Sequence, residues 1–150
     1  MLKKNFCCAL LGTLILAGTA QANPFNQVID NSDAAFSMSG DWDYKNSDTA
    51  VFGEYQVAKK HKKKDDPSTA IWDFGNPDAG SYNVYVSWMK KSKGSDKLYY
   101  KVMVGDVEYS FKMDQHKEGY DYQADGQKWQ LIGVVTSESG SNISVQMSNA

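Results

Sequence analysis

The chain has 150 residues, 41% of them hydrophobic and 23% charged, with 16 basic against 18 acidic side chains and a formal net charge of −2. Every basic side chain is a lysine; without the arginine forks that phosphate and base-edge recognition lean on, an acidic chain is expected to have no nucleic-acid partner. The length suits one domain able to bury a real core without staples.

At the start, Lys3 and Lys4 give a short positive stretch. Phe6 to Ala17 is then almost wholly apolar around Leu10, Leu11, Leu14, Ile15 and Leu16, and Ala20-Gln21-Ala22 is an A-x-A cleavage site. Charge, apolar run and small residues in that order mark a secretory signal peptide. The run is shorter than the roughly 20 residues a membrane helix needs, so residues 1–22 are expected to be a cleaved leader rather than a retained anchor. A lipid anchor is not expected, because Thr19 follows Leu16-Ala17-Gly18 where a cysteine would be required. Both cysteines, Cys7 and Cys8, lie in the leader, so residues 23–150 should form no disulfide. Losing Lys3 and Lys4 takes the net charge from −2 to −4. No later stretch is long and apolar enough to cross a bilayer. The expected product is an exported protein, periplasmic or extracellular, that is not integral to a membrane.

Beyond the leader helix signals are weak, and short strand signals recur. Ser68 to Phe74 alternates with Ala70, Trp72 and Phe74 on one side. Tyr82 to Trp88 puts Tyr82, Val84, Val86 and Trp88 on one face and Tyr85 and Ser87 on the other. Leu98 to Val104 is rich in tyrosine and valine. Val107 to Met113 sets Val107, Tyr109, Phe111 and Met113 against Glu108, Ser110 and Lys112, and Lys128 to Thr136 and Ile143 to Met147 complete the set. A period of two places one face on a core and the other in solvent. Gly105-Asp106 separates two runs as a tight hairpin would; Asn76 to Gly80, Ser92 to Ser95, Asp125-Gly126 and Ser137 to Ser141 mark further turns. Six or more short strands at such spacing predict an all-β fold, an antiparallel β-sandwich of jelly-roll type, as one domain over residues 23–150.

Between these runs, Lys59, Lys60, His61, Lys62, Lys63 and Lys64 lead into Asp65 and Asp66. Such a segment cannot be a core strand. It is expected to be a solvated loop, with a cationic patch for an acidic glycan or a membrane surface as the sharper alternative.

Several elements, in order, resemble the golvesin C-terminal, or xanthan-lyase carbohydrate-binding-like, domain family. Val28-Ile29-Asp30-Asn31-Ser32-Asp33 looks like its opening, followed by Phe36-Ser37, Gly40 and Trp42. Phe52-Gly53 with Tyr55 is similar to its Tyr-Gly…Tyr element, and Ala70-Ile71-Trp72 to its Thr-Ala-Thr-Trp strand. Ala79 to Trp88 is the best match, to an Ala-Gly-Thr-Tyr strand. Asp114-Gln115 and then Trp129, Leu131 and Gly133 follow in the right order. The lysine run and the loop from His116 to Gln127, which carries Tyr120 and Tyr122, depart from the pattern. The resemblance implies a β-sandwich and a carbohydrate-binding role, here as a stand-alone module where the family usually supplies an appendage.

No catalytic residue is assigned. His61 and His116 sit beside lysines in polar loops, whereas nucleophilic catalysis needs an oriented, partly buried imidazole. No carboxylate lies in an apolar context that would raise its pKa, as a glycosidase acid requires. No metal ligand is assigned either. Asp41, Asp43, Asn46 and Asp48 do not follow the spacing of an EF-hand loop. Asp30, Asn31 and Asp33 could hold a structural calcium, but capping turns through their own backbone is the favoured role, so no cofactor is expected.

Aromatic residues are the relevant surplus. Trp72, Trp88 and Trp129 read as inward core residues, and Trp42 is left unassigned. Tyr85 alternates outward, one of Tyr99 and Tyr100 must face solvent, and Tyr44, Tyr120 and Tyr122 are expected in polar loops. Aromatic rings give stacking area and a hydroxyl at low entropic cost. Tyr44, Tyr85, Tyr99, Tyr120 and Tyr122 are therefore the candidate glycan-stacking residues, with Lys59, Lys60, Lys62, Lys63 and Lys64 as a possible cationic aid. The expected function is non-catalytic binding of a polysaccharide or cell-surface glycan. A structural or protein-interaction role in the cell envelope or extracellular matrix is the alternative, and a small polysaccharide-active hydrolase the remote one.

Overall fold

Alternating apolar residues put most of this chain into paired strands. The computed structural model describes residues 4–6, 9–15, 26–48, 50, 53–59, 67–88, 98–117, 121–124, 127–138 and 140–148, with the backbone alone for 4–6, 9–15, 26, 122–124 and 127. In chain order the strands are β1 (Lys4–Phe6), β2 (Ala9–Ile15), β3 (Asn26–Ile29), β4 (Phe36–Ser39), β5 (Trp42–Asn46), β6 (Glu54–Ala58), β7 (Thr69–Asp73), β8 (Gly80–Ser87), β9 (Leu98–Val104), β10 (Val107–Met113), β11 (Tyr122–Ala124), β12 (Gln127–Ser137) and β13 (Ile143–Ser148). Among the described residues no helix is long and apolar enough to cross a membrane.

Two five-stranded sheets, β10-β9-β13-β7-β4 and β11-β12-β8-β2-β3, carry the fold, and β1-β6-β5 forms a third, smaller sheet. All the pairings are antiparallel. Trp72, Tyr100, Val102, Val145 and Met147 from the first sheet and Val84, Val86, Ile132 and Val135 from the second form one buried core. That arrangement is the expected antiparallel sandwich. The six expected runs are all strands, to within about two residues at their ends. β3 to β6 and β11 were not expected as strands, nor were β1 and β2, which fall in the segment read as a leader. β6 with Ala50 contributes a separate small cluster of Ala50, Tyr55 and Val57.

The tryptophans follow the expected faces. Trp72 and Trp129 are fully buried, and Phe36, directly across the β4–β7 pair, lies against Trp72 with ring centroids 5.2 Å apart. Trp88 stands just past the end of β8 and is half-buried against the core, donating from Nε1 to the Lys117 carbonyl at 3.0 Å. Trp42 also packs half-buried on the core, and its Nε1 donates to the Ser39 carbonyl at 2.8 Å.

Two glycines mark close approaches. In β12 the register against β8 slips between Leu131 and Gly133, a β-bulge, and a Cβ on Gly133 would collide with the tip of the Phe111 ring from β10. A glycine within a strand commonly marks such a bulge or approach. At the β4–β5 corner Gly40 has φ 85°, and a Cβ there would stand 2.7 Å from Ser68 Cα. The buried Ser68 hydroxyl accepts from the Asp41 N–H and lies 3.0 Å from the Asp41 carbonyl, to which it donates, clasping the corner to the start of β7.

This is the fold of the uncut chain. Its β2 lies between β3 and β8, and its β1 pairs with β6. Cleavage after Ala22 would remove both strands together.

Candidate functional site

The face of the first sheet that points away from the core is assembled by register. Leu98, Tyr100, Val102 and Val104 of β9 are buried, so Tyr99, Lys101 and Met103 point outward. The same alternation turns Ser144, Gln146 and Ser148 of β13 and Thr69 and Ile71 of β7 to that side. Pairing then aligns Ser39, Thr69, Ser148, Tyr99 and Lys112 in one row across all five strands. At about 4.8 Å between strands the row spans roughly 19 Å. A second row holds Ser37, Ile71, Gln146, Lys101 and Ser110. The two rows carry serine and threonine hydroxyls, one amide, two ammonium groups and the Ile71 side chain around a single phenol ring, and Glu108 lies on the same face.

Tyr99 is 52% exposed while Tyr100 is fully buried, which resolves the choice between them. Tyr99, Lys101, Gln146, Ser148, Thr69 and Pro67 line a shallow groove of about 370 Å³. That volume lies at the low end of the roughly 300–1,000 Å³ typical of small-molecule sites. Pro67 is separated from the lysine-rich run in sequence by Asp65 and Asp66. The polar groups of the face are braced. Ser39 Oγ and Thr69 Oγ1 are 2.6 Å apart. Lys101 Nζ donates to Glu108 Oε2 at 3.1 Å, and Ser110 Oγ donates to Glu108 Oε1 at 3.0 Å. These bonds, the lysine's first, hold the Glu108 carboxyl below its ordinary pKa.

The structure does not bring the expected tyrosines together. Tyr99 belongs to the β9 sheet. Tyr85 lies on the outer face of the other large sheet, half-buried and opposite Leu131. Tyr44, expected in a loop, is instead on β5, where it is 54% exposed and pairs with Gln56 of β6. Trp42 to Asn46 extends because β6 supplies a hydrogen-bonding partner, which a short polar sequence does not reveal. Tyr122 is likewise in a strand rather than a loop, its backbone pairing with Trp129. Tyr120, Lys60, Lys62, Lys63 and Lys64, with His61, lie outside the described residues. Lys59 ends the β6 hairpin and pairs with Asp43 at 3.3 Å. Pro67, Thr69, Gln146 and Ser148 were not anticipated, because a groove made by register between distant strands leaves no local motif.

Elsewhere, polar residues serve turns. Asp33 Oδ2 accepts from the Asp30 N–H at 2.6 Å, and Asp30 Oδ2 accepts from the Ser32 N–H at 3.4 Å and from Ser32 Oγ at 3.1 Å, which is turn capping for the two aspartates; Asp30 Oδ1 and both side-chain polar atoms of Asn31 are buried without a hydrogen-bond partner among the described residues. His116 sits in the turn after β10, where Asp114 Oδ1 accepts from its N–H at 3.0 Å and lies 3.0 Å from its Nδ1. Those contacts, the backbone bond foremost, lower the Asp114 pKa.

The fold and the groove define the class of the protein as an antiparallel β-sandwich module with a hydroxyl-rich sheet face. The chain belongs to the golvesin C-terminal domain family, whose model matches residues 27–150. No curated protein and no solved structure gives a match.

Proposed function

We propose that the chain, exported and shorn of its leader, is a non-catalytic carbohydrate-binding module whose glycan lies across the outer face of the β9 sheet. The observation that carries this is Tyr99. It is the exposed ring of a groove whose other lining residues Gln146, Ser148 and Thr69 offer an amide and hydroxyls beside it. A sugar has an apolar C–H face and a rim of hydroxyls. A phenol ring stacks on the first while amide and hydroxyl groups bond the second. A sheet holds these groups rigidly, which keeps down the entropic cost of ordering them on binding. Membership of the golvesin C-terminal domain family, for which the sequence resemblance implies a carbohydrate-binding role, supports the same class of ligand.

Affinity gel electrophoresis against a panel of soluble polysaccharides, with pull-downs on insoluble ones, tests the proposal. The folded 23–150 chain should be retarded by at least one glycan and release no reducing sugar from it. A folded chain retained by none contradicts the binding role. Steady release of reducing sugar contradicts the non-catalytic one. Ordered self-association by light scattering, without glycan retention, would favour the structural or envelope-interaction role instead.

A further inference from the structure

We propose that the glycan is anionic and that Lys112 receives its acidic group while Tyr99 stacks on the sugar ring. This inference rests on the binding role just proposed and narrows its ligand. Lys112 lies directly across the β9–β10 pair from Tyr99, where facing Cβ atoms stand about 4.5–5.5 Å apart. Both point to the outer face, so a ring stacked on Tyr99 brings its substituents within reach of the long lysine stem.

The charges of the face divide unevenly. The Lys101 ammonium is occupied by Glu108, whose other oxygen is taken by Ser110. The Asp73 carboxylate on the same sheet accepts from the Gly75 N–H at 2.9 Å and from Asn142 Nδ2 at 2.8 Å. Among the described residues Lys112 has neither a hydrogen-bond nor an ion-pair partner. Among the described residues of this face, Lys112 is therefore the unmatched cation, and it stands beside the exposed Tyr99 ring. The rest of the chain makes this informative. With a net charge of −4 after leader removal, the domain as a whole repels acidic polymers. Attraction has to come from a local positive point, and such points steer and hold charged ligands. An ammonium donates hydrogen bonds to any sugar hydroxyl, but it gains a charge-assisted bond only from an acidic group.

The test compares the protein purified as it is exported with its Lys112→Gln, Lys101→Gln and Tyr99→Ala variants, by affinity electrophoresis and calorimetry. The probes are a polyuronate, a sulfated dextran and neutral dextran. All three substituted side chains are exposed, so folding is retained, and circular dichroism checks it. The wild-type chain should bind an anionic probe more tightly than the neutral one. That preference should fade as salt shortens the screening length from about 30 to about 8 Å. Lys112→Gln should weaken anionic binding about five-fold, the scale of an exposed charge pair, and leave neutral binding unchanged. Tyr99→Ala should weaken both. Lys101→Gln should affect binding less than Lys112→Gln, because Glu108 already occupies it. Preference for the polyuronate or for the sulfated probe supports the proposal and identifies the acidic group. Equal affinity for neutral and anionic probes overturns it, as does a Lys112→Gln chain that keeps full anionic binding; the broader glycan role survives both results. Absence of binding to every polysaccharide removes the broader role as well.

Discussion

Replacing Gly133 by alanine probes how the two large sheets are locked together. Gly133 sits at the β12 bulge, and the space its missing Cβ would fill holds the ring of Phe111 from the facing sheet. Adding a methyl group to a filled core site costs about 1–3 kcal/mol. Phe111 is half-buried rather than enclosed, so its ring can swing outward, and the lower half of that range is expected. At roughly 4 °C per kcal/mol for a domain of this size, the melting temperature should fall by about 4–8 °C. Differential scanning calorimetry of the 23–150 chain reads this out. A Phe111→Leu change makes room for the new methyl, so the double variant should be more stable than the sum of the two single losses by about 1 kcal/mol. A Gly133→Ala chain within about 0.5 kcal/mol of wild type, or strict additivity in the double variant, would show that Phe111 does not close over Gly133.

Ser68→Ala removes the hydroxyl that clasps both backbone groups of Asp41 and should cost about 1 kcal/mol in urea unfolding; Ser68→Thr, which keeps the hydroxyl, should recover part of it. The Asp114 pKa is lowered, chiefly by the His116 N–H. Its contribution to stability is therefore present above the ordinary aspartate pKa of about 3.9 and lost as pH falls through the lowered folded value. Asp114→Asn should flatten the stability profile in that acid window and not near neutrality, as acid titration followed by circular dichroism would show. Mass spectrometry of the exported protein should find a chain beginning at Asn23; a chain retaining Ala9–Ile15 would instead keep β2 in the sheet between β3 and β8.

How much of this was legible in the sequence depended on local period. β9 and β10 match their expected limits because each alternates cleanly between a core face and a solvent face. Phe36–Ser39 and Trp42–Asn46 are strands with largely exposed side chains. Glu54–Ala58 is buried on both faces. Neither pattern alternates, so neither announced itself. The β12 bulge had a visible mark in Gly133, a glycine inside an apolar run. Tyr99 could be found because Tyr99 and Tyr100 must point to opposite sides of a strand. Its neighbours could not, since Thr69 and Ser148 reach it only through the register of β7, β13 and β9, and register between distant segments is invisible in one sequence. Of the candidate tyrosines Tyr44 and Tyr99 are exposed and Tyr85 is half-buried, and only the fold shows that these three belong to separate sheets.

The most direct test of the glycan face is amide chemical-shift mapping of the labelled 23–150 chain, titrated with an oligosaccharide cut from the polysaccharide it retains. Shifts concentrated at Thr69, Tyr99, Lys112, Gln146 and Ser148, and absent at Tyr44 and Tyr85, are the predicted result. Shifts gathered around Tyr44 on the β5–β6 hairpin or around Tyr85 on the opposite sheet, with the Tyr99 face unmoved, would contradict it.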